Sequence, residues 1–306
     1  MKSNIYHRLS DQLYKKPTHF LLELIQNADD NTFTCDTPTI SMTLGVDDDL
    51  DIFYLRIDCN EIGLNRANVE ALCRIGASTK KNRERSEGYI GEKGIGFKSV
   101  FKVADTVYVS SKGYAFKFDR HGMLGMIVPI IEGFPQGHLQ NGQTQMLLEI
   151  DSAEDFRHIR IELEKLEPEI LIFLRKICKL VIRTPGSRFR RICIERFPQD
   201  GAFDREEVKI LTNYPVFISQ RYIIVRRIET NLEKDDRREN IAATETVLAF
   251  PVNEGMRPVL RTQKTYAYLP IDDYGFNVSC LKANLCRNWK LTAFKVPHTR
   301  RFSLGR

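Results

Sequence analysis

Apolar positions in the first half of the chain switch repeatedly between two periods. From 18 to 31 they recur at helical spacing, with Phe20, Leu21, Leu24, Ile25 and Ala28 on one side, which predicts an amphipathic helix. Strand-like runs follow at 39–44 and 53–57, around the acidic, turn-prone stretch Asp47-Asp48-Asp49. Val69, Leu72 and Cys73 share a face of a second helix expected at 65–75. A charged loop at 76–87 and a cluster of glycines lead into a short helix at about 96–103. Strand patterns resume at 106–110, 114–118, 126–131 and 144–150, with a glycine- and proline-marked loop at 133–142. The stretch 151–179 reads as one or two helices, and Pro168 suits the first turn of the second. Beyond 181, β-branched runs dominate at 188–196, 216–227, 244–250 and 265–269. The shift in composition places a boundary near 170–185, so the expected units are 1–175 and 176–306.

Length agrees with that division. The chain has 306 residues, and domains run to roughly 150 residues each. Apolar residues make up 42% and charged residues 28%, a composition that builds a packed core rather than a disordered chain. The charge balance, 46 Lys+Arg against 40 Asp+Glu, leaves +6. That excess is too thin and scattered for a nucleic-acid footprint. The apolar run Ile170-Leu171-Ile172-Phe173-Leu174 falls far short of the roughly 20 residues of a membrane span. Seven cysteines, never in a C-x-x-C pair, argue against a zinc site or a disulfide framework. The expectation is a soluble intracellular protein of cytoplasm or nucleus without a membrane partner. Composition names no activity.

Candidate chemistry sits in two segments. Gly91-Glu92-Lys93-Gly94-Ile95-Gly96 runs directly into Phe97-Lys98-Ser99-Val100-Phe101. Clustered glycines let backbone approach an anion closely, and N–H groups at the start of the next helix can hold phosphate oxygens. The segment is no P-loop, because Phe97 stands where the lysine belongs. Nor is it a dinucleotide fingerprint, since a charged loop rather than a buried strand precedes Gly91. On the first helix, Glu23, Asn27 and Asp30 fall within about 60° of one another at 100° per residue. A carboxylate four residues before an asparagine suits a magnesium-phosphate site: the amide oxygen is a hard ligand for Mg²⁺, and the carboxylate can polarise an attacking water.

These residues carry a family likeness. "ELIQNADD" at 23–30 resembles the asparagine-helix motif of the Bergerat-fold (GHKL, histidine kinase-like) ATPases, and "LLELIQNADDN" with "GYIGEKGIGFKSVFKV" looks most like the sacsin and NO VEIN branch with its chaperone-like ATPase domain. The order of motifs matches as well: acidic helix, glycine-bearing turn, lid, glycine loop. The likeness covers about residues 15–150. It implies an α+β fold, with a two-layer Bergerat-type sandwich followed by a partial, strand-rich transducer-like domain. It further implies ATP and Mg²⁺ as ligands, slow ATP hydrolysis coupled to lid closure, and protein clients as partners. Carried over residue by residue, Glu23 is similar to the general base and Asn27 to the Mg²⁺ ligand, with Asp30 on the same face. Gly91, Gly94 and Gly96 resemble the phosphate loop, with the backbone of Ile95 and Phe97 beside it. Ser78 and Thr79 resemble the polar stretch that opens the lid. Thr144 resembles the threonine at the floor of the adenine pocket.

Two positions depart from the pattern. The turn that normally begins with the adenine-reading aspartate reads Cys59-Asn60-Glu61-Ile62-Gly63-Leu64 here. Alignment on Gly63 puts Cys59 in the aspartate's place, while the Asn60-Glu61 pair fits the branch. A thiol is a poor partner for an amino group, and Asp58, one residue away, is a candidate substitute if the turn shifts. The basic residue that reaches back from the transducer domain has no clear counterpart, since the likeness fades after about Asn284; Arg287 is a possible substitute. These departures keep open a nucleotide-binding module without hydrolysis. The slight positive charge keeps open a DNA-associated ATPase of the MutL or MORC sort.

Overall fold

The computed structural model describes residues 19–47, 51–73, 97–122, 124–140, 143–186, 190–199, 206–213, 216–230, 244–260, 263–267, 269–276 and 279–282. Within them the chain is α+β and rests on one large mixed sheet. In chain order come helix α1 (His19–Asp29), strands β1 (Thr39–Asp47) and β2 (Ile52–Cys59), and helix α2 (Arg66–Cys73). A 3₁₀ turn (Phe97–Lys102) leads to β3 (Ala104–Ser111), β4 (Tyr114–Asp119), β5 (Ile130–Ile131) and β6 (Thr144–Ile150). Helices α3 (Ala153–Glu164) and α4 (Ile170–Phe173) then connect to β7 (Lys179–Thr184). The remaining strands are β8 (Arg190–Gln199), β9 (Glu206–Thr212), β10 (Ile218–Glu229), β11 (Thr244–Val252), β12 (Gln263–Ala267), β13 (Leu269–Phe276) and β14 (Ser279–Lys282). Their order across the sheet is β13-β12-β14-β11-β10-β9-β8-β7-β1-β2-β6-β3-β4-β5. Neighbours run antiparallel except β1 with β7 and β12 with β14, which are parallel. The parallel pair follows from connectivity: α3 and α4 carry the chain from β6 past β2 to the far side of β1.

Alternation along the strands separates two faces. Ile40, Met42 and Leu44 of β1 stand opposite Cys59, Ile57 and Leu55 of β2, and all six are buried. The same face takes Leu180 and Ile182 of β7, Leu148 of β6, Val107 and Val109 of β3, and Phe116 and Phe118 of β4. Helices supply the second half of this core. Phe20, Leu21, Leu24, Ile25 and Ala28 of α1 are buried in it. So are Phe156, Ile159 and Leu163 of α3, spaced three and four apart so that they share one stripe. The start of α3 is fixed by Ser152, whose hydroxyl accepts from the N–H of Asp155 at 3.0 Å, with Glu154 and Asp155 in the positive first turn. Across the sheet, Phe134 is buried and the 133–140 segment covers Arg56 and Gln145, both of which donate to the carbonyl of His138.

The expected elements of the first half recur in the structure with shifts of a few residues at their ends. One differs in kind. The run 126–131 contributes only Ile130 and Ile131 to the sheet, as its short edge strand. Before it the backbone coils: Gly125 donates to Gly122 and Val128 to Leu124, both at 2.9 Å, with Leu124 at a φ of +63°. A Cβ on Gly125 would lie 1.6 Å from the carbonyl oxygen of Asp119, so this coil needs glycine there. The stretch 151–179 yields one full helix and one of four residues, with Pro168 just before the latter. No helix among the described residues is long and apolar enough to cross a membrane.

Candidate functional site

Helix α1 lies over the end of the sheet formed by the last residues of β2 and the first of β6. Its C-terminal end is tied there from both sides. The N–H of Ile62, in the turn after β2, donates to the carbonyl of Thr32, just past the helix, at 2.9 Å. Behind it, the Asp29 carboxylate is 1% exposed and accepts three consecutive N–H groups, from Arg175, Lys176 and Ile177, each at 2.8 Å. Lys176 adds its ammonium to the carbonyls of Asp30 and Asn31. The outer face of α1 carries Glu23 and Asn27, both half-buried. No hydrogen bond of the Asn27 amide is found among the described residues. Asp30 follows the helix directly and is buried.

Under the helix end, the register pairs Cys59 with Thr144, so both side chains lie on the face that α1 covers. Thr144 is part of a buried polar chain. The N–H of Leu64 donates to Ser111 Oγ at 2.8 Å, Ser111 Oγ lies 2.6 Å from Thr144 Oγ1, and Thr144 donates to a carboxylate oxygen of Glu61. Ser111, Thr144 and Glu61 are 0%, 5% and 7% exposed. Gly63 shapes the turn that presents Glu61: its φ is +91°, in the region glycine favours. Burial pushes the Cys59 thiol up to about 12, so it stays neutral and weak as a hydrogen-bonding group.

Not every residue singled out from the sequence reaches this face. Asp58 points through the sheet to the opposite side. There its carboxylate, 2% exposed, pairs with Arg56 at 3.0 Å and accepts from Gln145 at 2.5 Å. Asn60 spends its amide on the start of β1, accepting from the Thr39 N–H at 2.7 Å and donating to the Thr37 carbonyl at 3.0 Å. Phe97 is buried in an aromatic cluster with Phe101 and Phe118, in the 3₁₀ turn that packs on α1. Ser78, Thr79, Gly91, Gly94, Ile95, Gly96 and Arg287 lie outside the described residues. Glu61 and Ser111 are the buried groups that sequence reasoning does not place in a site. Glutamate in a polar turn reads as solvated, and only the pairing of β3 with β6 brings Ser111 to Thr144.

Beside Phe97, the Lys98 ammonium sits 4.4 Å from the ring centre of Phe118 and 5.2 Å from that of Phe97, and it donates to the Met126 carbonyl. Burial pulls its pKa down to about 8. Among the described residues no group of three His, Cys, Asp or Glu side chains could hold a metal ion. The half-buried Asn27 amide is of a kind that takes one position on a Mg²⁺ whose other ligands are phosphate and water.

An α+β chain with these features shares sequence with chaperone-type proteins. It is 27% identical over 175 residues to the chaperone protein HtpG of Burkholderia lata, across 47% of this chain. With the chaperone protein HtpG of Mycobacterium avium it is 30% identical over 153 residues, across 41% of this chain. The similarity to the protein NO VEIN of Arabidopsis thaliana extends further, at 31% identity over 291 residues and 87% of this chain. The chain spans 10% of the length of NO VEIN and about a quarter of the HtpG chains. No protein-family model matches it.

Proposed function

We propose that the chain is a chaperone-like, NO VEIN-type ATPase unit that binds Mg²⁺-ATP beside the face of α1 that carries Glu23 and Asn27 and hydrolyses it slowly, coupled to closure of a lid. The observation that carries this reading is the placement of half-buried Glu23 and Asn27 on the helix that packs against the 3₁₀ turn following the glycine loop in sequence and whose C-terminal end is hydrogen-bonded to the turn after β2. Helices against one face of a mixed sheet support a two-layer Bergerat-type sandwich over residues 1–175, with 176–306 as a transducer-like unit. In this scheme the Asn27 amide oxygen holds Mg²⁺, which when bound offsets charge on the phosphates. Glu23 takes a proton from the attacking water. Asp30 supports the helix face, Thr144 forms the floor of the base pocket, and Gly63 shapes its rim. Gly91, Gly94 and Gly96, with the backbone of Ile95 and Phe97, cradle the phosphates, and Ser78 and Thr79 open the lid. Protein clients are the expected partners.

The test is calorimetric binding of Mg²⁺-ATP followed by phosphate release. Glu23→Ala is expected to lower kcat by about 10²–10⁴-fold, the usual share of a general base, and to leave the Kd within a few-fold. Asn27→Ala is expected to weaken the Mg²⁺-dependent part of binding itself. Release by Glu23→Ala at the parent rate would sink the mechanism. Binding by the parent without any phosphate release would instead select a module that only binds nucleotide.

A further inference from the structure

The side of the sheet turned away from α1 carries a row of arginines. Arg183 of β7 stands directly opposite Arg191 of β8. On the other side of Arg183 its partner on β1 is Thr43, and the partner of Thr43 on β2 is Arg56. Cross-strand partners share a face, so all four side chains lie on the side onto which Asp58 turns. The Arg183 guanidinium donates to Thr43 Oγ1 at 3.5 Å and so leans toward β1. Arg56 is held by Asp58 at 3.0 Å and by the His138 carbonyl at 3.3 Å.

By itself this row is unfavourable. Like charges directly opposite on neighbouring strands destabilise a sheet. The floor beside them is apolar and dry: Val181, two residues before Arg183 on the same face, and Leu147, opposite Arg56, are both buried. Burial, and after it the charge of Arg191, pulls the pKa of Arg183 down. The carboxylates of this face are committed elsewhere. Asp58 serves Arg56 and Gln145, Glu195 pairs with Lys179, and Asp47 with His138. Among the described residues no carboxylate pairs with Arg183 or Arg191. Asp58 balances Arg56, which leaves Arg183 and Arg191 as two adjacent positive charges without a counter-charge.

We propose that Arg183 and Arg191 together hold a dianionic phosphate, the group shared by inorganic phosphate and a phosphorylated side chain. Each guanidinium presents a planar fork of N–H donors that matches phosphate oxygens. Opposite residues of an antiparallel pair stand about 5 Å apart at the backbone, so both forks reach one tetrahedral group. A phosphate monoester carries about −1.5 to −2 at pH 7, which matches the two uncompensated charges. A carboxylate or a phosphodiester brings a single charge and leaves one arginine unmet. The site lies across the sheet from the face that carries Glu23 and Asn27, so it does not depend on the nucleotide-binding reading.

Calorimetric titration of the full chain with inorganic phosphate, with a capped phosphoserine pentapeptide and with its glutamate counterpart tests this. The parent is expected to bind the phosphopeptide about tenfold or more tightly than the glutamate peptide. Equal affinity for phosphate and phosphopeptide identifies the free ion as the ligand, and tighter binding of the peptide identifies a phosphorylated side chain. Arg183→Gln and Arg191→Gln are each expected to weaken phosphate binding by about tenfold or more. A parent that binds phosphate but no Mg²⁺-ATP overturns the nucleotide reading and leaves this site intact. Melting gives an independent readout that also shows whether the variant folds. In chloride, Arg191→Gln is expected to melt about 1–3 °C above the parent, because the repulsion is gone. Phosphate at the same ionic strength closes that gap by binding the folded parent. No gap in chloride, no phosphate binding by the parent, or equal binding by the parent and both variants overturns the proposal.

Discussion

Between β1 and β6 the sheet and helix α1 bury carboxylates and hydroxyls, on both sides of the sheet, whereas from β8 to β11 the sheet leaves apolar side chains in the open. Asp29, Asp58, Glu61, Ser111 and Thr144 are all buried in the first region, and beyond residue 150 the buried polar side chains among the described residues are Thr184 and Thr212. In the second region Val225 and Ile228 of β10 are 43% and 69% exposed, and Phe217 just before that strand is 71% exposed. Burying polar groups costs free energy unless each is met, and a half-met network is worse than an apolar core. The first region accepts that cost repeatedly and in one place, around α1 and the end of β2. The second keeps a packed inner stripe, with Ile192, Ile194, Val208, Ile210, Tyr222 and Ile224 buried, and offers its other side to solvent. One region is organised about buried polar groups, the other about a surface.

The two regions meet at Asp29, and removing its carboxylate is the largest change we expect. Asp29→Ala strands three backbone N–H groups at 175–177, just before β7. Buried donors left without a charged acceptor cost about 3–5 kcal/mol in all. Denaturant unfolding followed by tryptophan-independent far-UV dichroism should show that loss. If the regions fold as one unit, the single transition moves to lower denaturant with an unchanged slope. Splitting into two transitions would mean that Asp29 alone made them cooperative. A loss below about 1 kcal/mol would show that the seam is held elsewhere.

Lys98 tests whether polar burial in the first region is costly by itself. Its pKa falls from 10.5 to about 8 because burial disfavours the ammonium. A shift of that size corresponds to about 3 kcal/mol, of which the cation–π contacts return about 1–2. Lys98→Met keeps a long side chain against the rings, so it is expected to stabilise the protein by about 1–2 kcal/mol at pH 7. The pH dependence gives the sign. Between about 8 and 10.5 the unfolded chain holds the Lys98 proton and the folded chain does not. Stability from this group therefore rises with pH across that window. Melting temperatures from pH 7.5 to 9.5 should climb for the parent relative to Lys98→Met; parallel curves would mean that the ammonium is not desolvated.

Much of the first region was legible because its helices and strands obey single periods. The α1 stripe of Phe20, Leu21, Leu24 and Ile25, and the alternation of Ile40, Met42 and Leu44, depend only on local spacing. Where backbone turns tightly the pattern misleads: Met126 to Ile131 alternates like a strand, but Gly122, Leu124 and Gly125 coil the chain first. The short β-branched runs beyond 181 gave strands without their neighbours, since pairing β7 with β1 depends on a crossover that no local signal encodes. Around the site, helix spacing was enough to group Glu23 with Asn27. The direction in which Asp58 points was not legible, because a shift of one residue in β2 reverses every side chain. Glu61 was hidden for a different reason: its significance lies in two hydroxyls from strands that are distant in sequence.

The smallest expected effect bears on the second region. Val225→Thr retains a β-branched side chain on β10, on the side away from Tyr222 and Ile224, so strand propensity barely changes, and at 43% exposure little apolar surface is lost from the interior. Stability should move by no more than about 0.5 kcal/mol, as for other surface substitutions away from special contacts. The value of the measurement lies in its asymmetry. A null result fits an open face whose apolar residues contribute nothing to folding. A loss above about 2 kcal/mol is the size of a buried apolar group. It would mean that this side of β10 is covered in solution, and that the contrast between a region built around a site and a region built as a surface is only apparent. Repeating the unfolding at two protein concentrations decides what covers it, because a face closed by a second copy gains stability with concentration while one closed from within the chain does not.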